Sequence, residues 1–248
     1  MPGPFRLRAG PAGDLWSYAT ATTPGAPVRG HVVLCHDLPR PKGSAADVAL
    51  TFPALADRIT RETGWRVVTA ALRGAGDSAG DFSALGWLDD LAYLSETEVP
   101  EEVPRITVGF GFGGVLALHV AARDDRVEGV ACLGTPADLS PLAGDDAFLV
   151  HCKRTGLIMT PGFPASVEAW SKELSVLHPA DDAAALRGKP LLMVHGTDDP
   201  DVPLADARAL ADAATGPVEL HLVLGAGHWL RADPRVISIL VGWLERRP

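Results

Sequence analysis

The chain alternates short apolar, β-branched runs with longer stretches in which apolar residues recur at helical spacing. His31–Leu34, Trp65–Leu72, Ile106–Val108, Arg126–Leu133, Pro190–His195 and Val218–Leu224 read as strands. Between them Val48, Phe52, Leu55 and Ile59 form one face of a helix that Gly64 would cap. Leu85, Leu88, Leu91, Ala92 and Leu94 mark a second helix near Ser83–Ser95, and Val115, Leu116, Leu118, His119 and Ala122 a third. Leu204–Ala214 and Pro234–Arg247 complete the helical set, the last with Val236, Ile239, Leu240, Trp243 and Leu244 on its face. The Gly- and Pro-rich start carries strand-like pieces at Phe5–Arg8 and Leu15–Thr22, which predict a hairpin at a sheet edge. Gly134 to Lys189 has no strand pattern, only helix-like pieces at Asp145–Gly156 and Ser166–His178. An insertion of that length between sheet strands predicts a small helical cap or lid. The alternation as a whole predicts an α/β fold. It is read as one domain over 1–248, with a mostly parallel sheet covered on both faces and the cap at 134–189.

Composition narrows the partners. At 248 residues the chain can bury one sizeable core, and 47% hydrophobic with 21% charged residues is ordinary for a soluble globular protein. A formal charge of -9 argues against nucleic acid or an anionic membrane as the main partner, leaving a small molecule. The start, MPGPFRLRAGPAG, shows no apolar signal region, and the uncharged run Ile106–Ala122 is broken by glycines and His119, so a cytoplasmic protein is expected. Cys35, Cys132 and Cys152 form no C-x-x-C pair, so neither a disulfide framework nor a metal site is expected. The oligomeric state is left open.

Chemistry concentrates in Arg105–Arg123, where Gly109, Gly111, Gly113 and Gly114 separate the strand from the helix. Strand, glycine turn and helix is the local geometry of two different sites. One is the nucleophile elbow G-x-S-x-G; the other is the dinucleotide turn G-x-G-x-x-G, where glycines admit a pyrophosphate to a helix N-terminus. Gly109, Gly111 and Gly114 match the second fully, whereas the first finds glycine at the nucleophile's place. Yet the turn lies late in the chain, and the next strand ends at Gly134-Thr135-Pro136 with no carboxylate before Asp138. A dinucleotide site wants an acidic residue there, so an oxidoreductase is the least favoured reading and no cofactor is expected.

Several motifs in order resemble the α/β-hydrolase family: VVLCHDLP, RGAGDSAG, the glycine elbow, VHGTDDPDVP and GAGHWL. The resemblance runs from about Val28 to the C-terminus and implies a sheet of about eight strands. It implies the chain order nucleophile, acid, histidine at Gly111, Asp199 and His228, with elbow glycines Gly109 and Gly113. It further implies oxyanion-type amides at Phe112 and Leu38, and a pocket near His36, Phe110 and Trp229. Two departures stand out. Gly111 has no side chain to attack with, and Asp37 replaces the glycine of the family's His-Gly, setting a carboxylate beside the place where an oxyanion would develop. Asp37, Ser78, Cys35 and Cys132 are the substitute nucleophiles that loop position allows, with Asp37 the costliest to bury without a role. The expected function is hydrolysis of a small, largely apolar substrate by an Asp199–His228 general-base pair, with Asp37 in the site and no serine. The alternative is a ligand-binding protein that has lost the chemistry.

Overall fold

The computed structural model describes residues 6–21, 28–143 and 146–247. Its strands are β1 (Arg6–Gly10), β2 (Gly13–Ala19), β3 (His31–Cys35), β4 (Arg66–Ala71), β5 (Arg105–Phe110), β6 (Val127–Leu133), β7 (Leu191–Gly196) and β8 (Val218–Val223). They form one eight-stranded sheet in the order β1-β2-β4-β3-β5-β6-β7-β8. The β1–β2 hairpin is antiparallel and β2 joins β4 antiparallel, while every pairing from β4 to β8 is parallel. Of the outer bounds expected for the hairpin, Phe5 and Thr22 lie outside the described residues, as does Asp145 at the expected start of a later helix. The order reverses between β3 and β5. Chain leaving the carboxyl ends of these two strands diverges there and opens a crevice, the usual place for a site in an open parallel sheet.

The helices are α1 (Phe52–Thr63), α2 (Ala84–Glu98), α3 (Phe112–Arg123), α4 (Asp146–Thr155), α5 (Val167–Lys172), α6 (Pro179–Ala184), α7 (Leu204–Ala213) and α8 (Pro234–Glu245). Phe52, Ile59, Val236, Leu240 and Trp243 from α1 and α8 pack on one face of the sheet, with Val32, Ile106 and Leu192 beneath them. On the other face Trp87, Leu91, Val115, Leu118 and Leu210 from α2, α3 and α7 cover Val33, Val130 and Met193. Each such side chain, fully withdrawn from water, contributes about 1.5–3 kcal/mol. Gly64 caps α1 at φ 76, its N–H reaching Thr60 O at 2.9 Å. Val48, expected on the first helix, sits in the turns before it, because Pro53 in the opening turn starts the helix later. The 134–189 segment holds no strand among its described residues. It folds into α4, α5 and a following short 3₁₀ turn, and α6, which packs against α3 and α7 and had no clear pattern of its own. Among the described residues no helix is long and apolar enough to cross a membrane.

Two motifs turn out to build turns. Arg73 after β4 grips Asp90 of α2 through Nη2 at 2.7 Å and Nε at 3.1 Å, and its own N–H adds a third bond. Ser78 Oγ donates to Ala71 O at 2.6 Å and accepts from Trp16 N at 2.8 Å, so its hydroxyl is spent tying β2 to the β4 turn.

Candidate active site

The elbow survives without its side chain. Gly111, between β5 and α3, has φ 52 and ψ -122, a strained combination that a residue with a Cβ adopts at a cost of order 1–3 kcal/mol. The turn is closed by Gly111 N–H donating to Leu133 O at 2.8 Å. The flanking glycines are there for close packing. A Cβ on Gly109 would lie 2.1 Å from Gly113 O, one on Gly113 would lie 2.3 Å from His36 O, and one on Gly114 would lie 1.9 Å from Thr135 Oγ1. The backbone these glycines admit is the protein's own. Moreover the first N–H of α3, which a pyrophosphate would want, already donates to Asp37 Oδ1 at 2.8 Å. NAD, NADP and FAD are therefore expected to give no saturable thermal shift at micromolar concentration; such a shift would mean that the turn opens to a ligand.

Asp37 arrives from the end of β3 and fills the space above Gly111. A Cβ at Gly111 would lie 2.1 Å from Asp37 Cγ and Oδ1 and 2.2 Å from Oδ2. The carboxylate thus stands where an elbow side chain would stand. Its Oδ1 accepts both amides expected to serve an oxyanion, Phe112 N at 2.8 Å and Leu38 N at 2.7 Å. Its Oδ2 lies 2.9 Å from His228 Nε2.

His228 is clamped from both sides. Its Nδ1 lies 2.8 Å from Asp199 Oδ2, and Asp199 Oδ1 in turn accepts Asp201 N and Val202 N at 2.9 Å each. Burial by itself would lower the His228 pKa, but hydrogen bonds to Asp199 and Asp37 and their charges outweigh it and push it up to about 10. Burial likewise opposes ionisation of Asp199, and the His228 and backbone hydrogen bonds overcome this and hold it below the usual carboxylate range. At neutral pH the imidazole is therefore a cation donating from both nitrogens. The sequence reading paired His228 with one carboxylate, Asp199, and the fold supplies a second, Asp37.

Asp199, Asp201 and His228 also place donor atoms within 4.8 Å of one another, a spacing that could suit a metal. Both Asp199 oxygens and both His228 nitrogens are already engaged, by Asp201 N, Val202 N, Asp37 and each other.

The array opens on a cavity of about 420 Å³ lined by Asp37, Leu38, Arg40, Phe112, Leu142, Phe148, His151, Asp206, His228 and Trp229, among others. Trp229 belongs here as expected, with the Arg40 guanidinium stacked 3.9 Å from its ring centroid. His36 and Phe110 do not. His36 is fully buried, its Nδ1–H donating to Asp37 O at 2.8 Å and its Nε2 accepting Leu72 N at 3.0 Å, so the ring ties β3 to β4. Phe110 points to the opposite face of the sheet and meets Phe52 edge-on at 5.7 Å. Both corrections have one cause: in a strand, consecutive side chains alternate faces, and only alternate residues at a strand end can face the crevice. Cys35 and Cys132 are buried, and burial pushes both thiols up, which removes them as nucleophiles. Arg40, Phe148 and His151 escaped the sequence reading. Arg40 lay three residues beyond Asp37 in the same loop, and α4 carried only an ordinary amphipathic pattern.

A sequence model described as the alpha/beta hydrolase family matches residues 32–238. This chain belongs to the alpha/beta hydrolase family. A monoacylglycerol lipase of Mycolicibacterium smegmatis is 27% identical, over 93% of this chain and 91% of that one. Among solved structures, an alpha-beta serine hydrolase homologue from Coxiella burnetii superposes with a TM-score of 0.64 at 22% identity, covering 99% of this chain and 97% of that one. The monoacylglycerol lipase of Paleococcus ferrophilus gives 0.67 at 18% identity, covering 93% and 98%. These two likenesses speak for the fold alone. Family membership accounts for the fold and its sheet.

Proposed function

We propose that this alpha/beta hydrolase hydrolyses a small, largely apolar substrate without a serine nucleophile, with Asp37, His228 and Asp199 acting as one array. The observation that carries the reading is the bridge made by Asp37, which joins the Phe112 and Leu38 amides to the imidazole from the position a serine would take. Asp199 orients the imidazole and Asp37 meets its other nitrogen, so loss of the Asp37 charge on engaging substrate frees His228 for general acid–base work. Leu38, Phe112, Leu142, Phe148 and Trp229 supply the apolar walls. Within the 134–189 segment α4 makes one of those walls, and we assign that part the role of a cap over the site. The lipase activity named for the Mycolicibacterium relative is not carried over, because Gly111 offers no hydroxyl and both amides are already taken.

A second reading is favoured by that same occupancy: a protein that only binds its ligand would tolerate filled oxyanion donors. The test combines labelling and turnover. The wild type is expected to be inert to a serine-directed fluorophosphonate, yet to hydrolyse at least one of a panel of small apolar esters, halides and epoxides, with loss of that turnover in Asp199→Asn. Stoichiometric labelling of a serine would mean that the nucleophile had moved. Absence of turnover on the whole panel, with ligand binding unchanged in Asp199→Asn, would put the binding reading first.

A further inference from the structure

The two departures from the family pattern meet at one point and answer each other. In acyl transfer, paired oxyanion-type N–H groups stabilise charge on the oxygen of the acyl group under attack. Here Phe112 N and Leu38 N hold Oδ1 of Asp37, so the carbonyl they are positioned to serve is one formed on Asp37 itself. We propose that Asp37 is the covalent nucleophile and that the substrate is an apolar compound whose saturated carbon carries an anionic leaving group. This rests on the hydrolase reading above and deepens it.

With Oδ1 fixed by the amides, Oδ2 is the attacking oxygen, and Asp37 lines the cavity beside Leu38, Phe112 and Trp229. Attack at a saturated carbon develops no oxyanion, so the occupied amides cost nothing in that step. A carbonyl substrate would need those same donors and would find them taken. The site therefore discriminates for saturated carbon.

The steps balance with water as the second reactant. A lone pair of Oδ2 forms the new C–O bond while the bond from carbon to the leaving group breaks and its electron pair departs with the anion. Esterification removes the Asp37 charge, and His228 loses one of the two carboxylates that hold its proton, which passes to solvent. Neutral Nε2, still oriented by Asp199, takes a proton from water as the water oxygen adds to Asp37 Cγ. Negative charge now develops on Oδ1, against both amides. Collapse breaks the Cγ–Oδ2 bond, and the alcohol leaves carrying Oδ2 and the proton from His228. The hydroxyl left on Cγ ionises, its proton returns to His228, and Asp37 is restored with one oxygen from water. The sum is alkyl compound plus water giving alcohol, anion and proton.

The test uses butyl bromide and the full chain. His228→Gln keeps the nucleophile and removes the base, so it is expected to accumulate one butyl group per chain, mapped to Asp37 by peptide mass spectrometry, with none on Asp37→Asn. Independently of that variant's stability, a single wild-type turnover in heavy-oxygen water should place the label in Asp37 and leave the first butanol unlabelled. Label found in the first butanol would mean that water attacks the substrate directly; the nucleophile assignment would fall while the hydrolase reading stood. Neither bromide release nor adduct, with bromides from ethyl to decyl and with butylene oxide, would also overturn the assignment. In that event, ester turnover lost in Asp199→Asn would preserve the hydrolase reading, and its absence would end both.

Discussion

Gly111→Ser alone is expected to be strongly destabilised, whereas Gly111→Ser combined with Asp37→Gly should fold and gain serine-type esterase activity. The new Cβ of the single variant would stand 2.1 Å from the Asp37 carboxyl carbon, a separation no packing tolerates. Either the elbow or Asp37 must move. Moving Asp37 abandons two backbone donors and an imidazolium, each a charge-assisted bond. Overpacking costs about 1–3 kcal/mol and the strained dihedrals at position 111 a similar amount. Together these are a large fraction of the 5–15 kcal/mol, roughly, that holds a domain folded. Removing Asp37 in the double variant clears the space, frees both amides and leaves His228, oriented by Asp199, near the new hydroxyl. A positioned base contributes about 10²–10⁴-fold. The checks are the urea midpoint and the hydrolysis of a nitrophenyl acetate, compared with Asp37→Gly alone. A well-folded double variant no faster than Asp37→Gly would show that elbow and imidazole are out of register for acyl transfer.

His228→Ala should cost about 3–5 kcal/mol of stability at neutral pH, the usual cost of breaking a buried ion pair by deleting one partner. Asp199 is 1% exposed and Asp37 11% in their side chains, so the two carboxylates would face each other with little water between them. The pH dependence carries the sign. The folded-state pKa of His228 is raised from 6.5 to about 10, so its contribution is complete below the unfolded value and is lost as pH rises through about 10. Wild type and His228→Ala should therefore differ most near neutrality and converge toward alkaline pH in denaturant titrations. A gap that stayed constant through pH 10 would mean that His228 contributes by packing and not as a cation.

Much of this was legible without coordinates. Short apolar, β-branched runs and helical spacing located every parallel strand, the Gly64 cap and the edge hairpin, because those features are set by neighbours in sequence. The order of motifs at strand ends also placed Asp199, His228, Phe112, Leu38 and Asp37 in one region. Less legible was which face each strand-end residue presents: His36 and Phe110 read as pocket residues and are core. The short α6 was missed because five of its six residues are Ala or Asp, and packing on α3 and α7 supports it more than its own periodicity does.

The sequence, through its resemblance to the alpha/beta hydrolase family, determined the kind of sheet and the elbow position held by Gly111; residue identity alone then put no hydroxyl there and a carboxylate, Asp37, in the loop after β3. Only the tertiary structure decided what that carboxylate does to its neighbours. Asp37 and Gly111 are 74 positions apart in sequence and their strands, β3 and β5, are adjacent in the sheet, so the missing elbow side chain leaves a space that the Asp37 carboxylate fills. The protonation of His228 was hidden for the same reason. It depends on two acids, Asp37 and Asp199, delivered by loops after β3 and β7, and a charge set by distances of 2.8 and 2.9 Å is a property of the packed sheet and not of any stretch of chain.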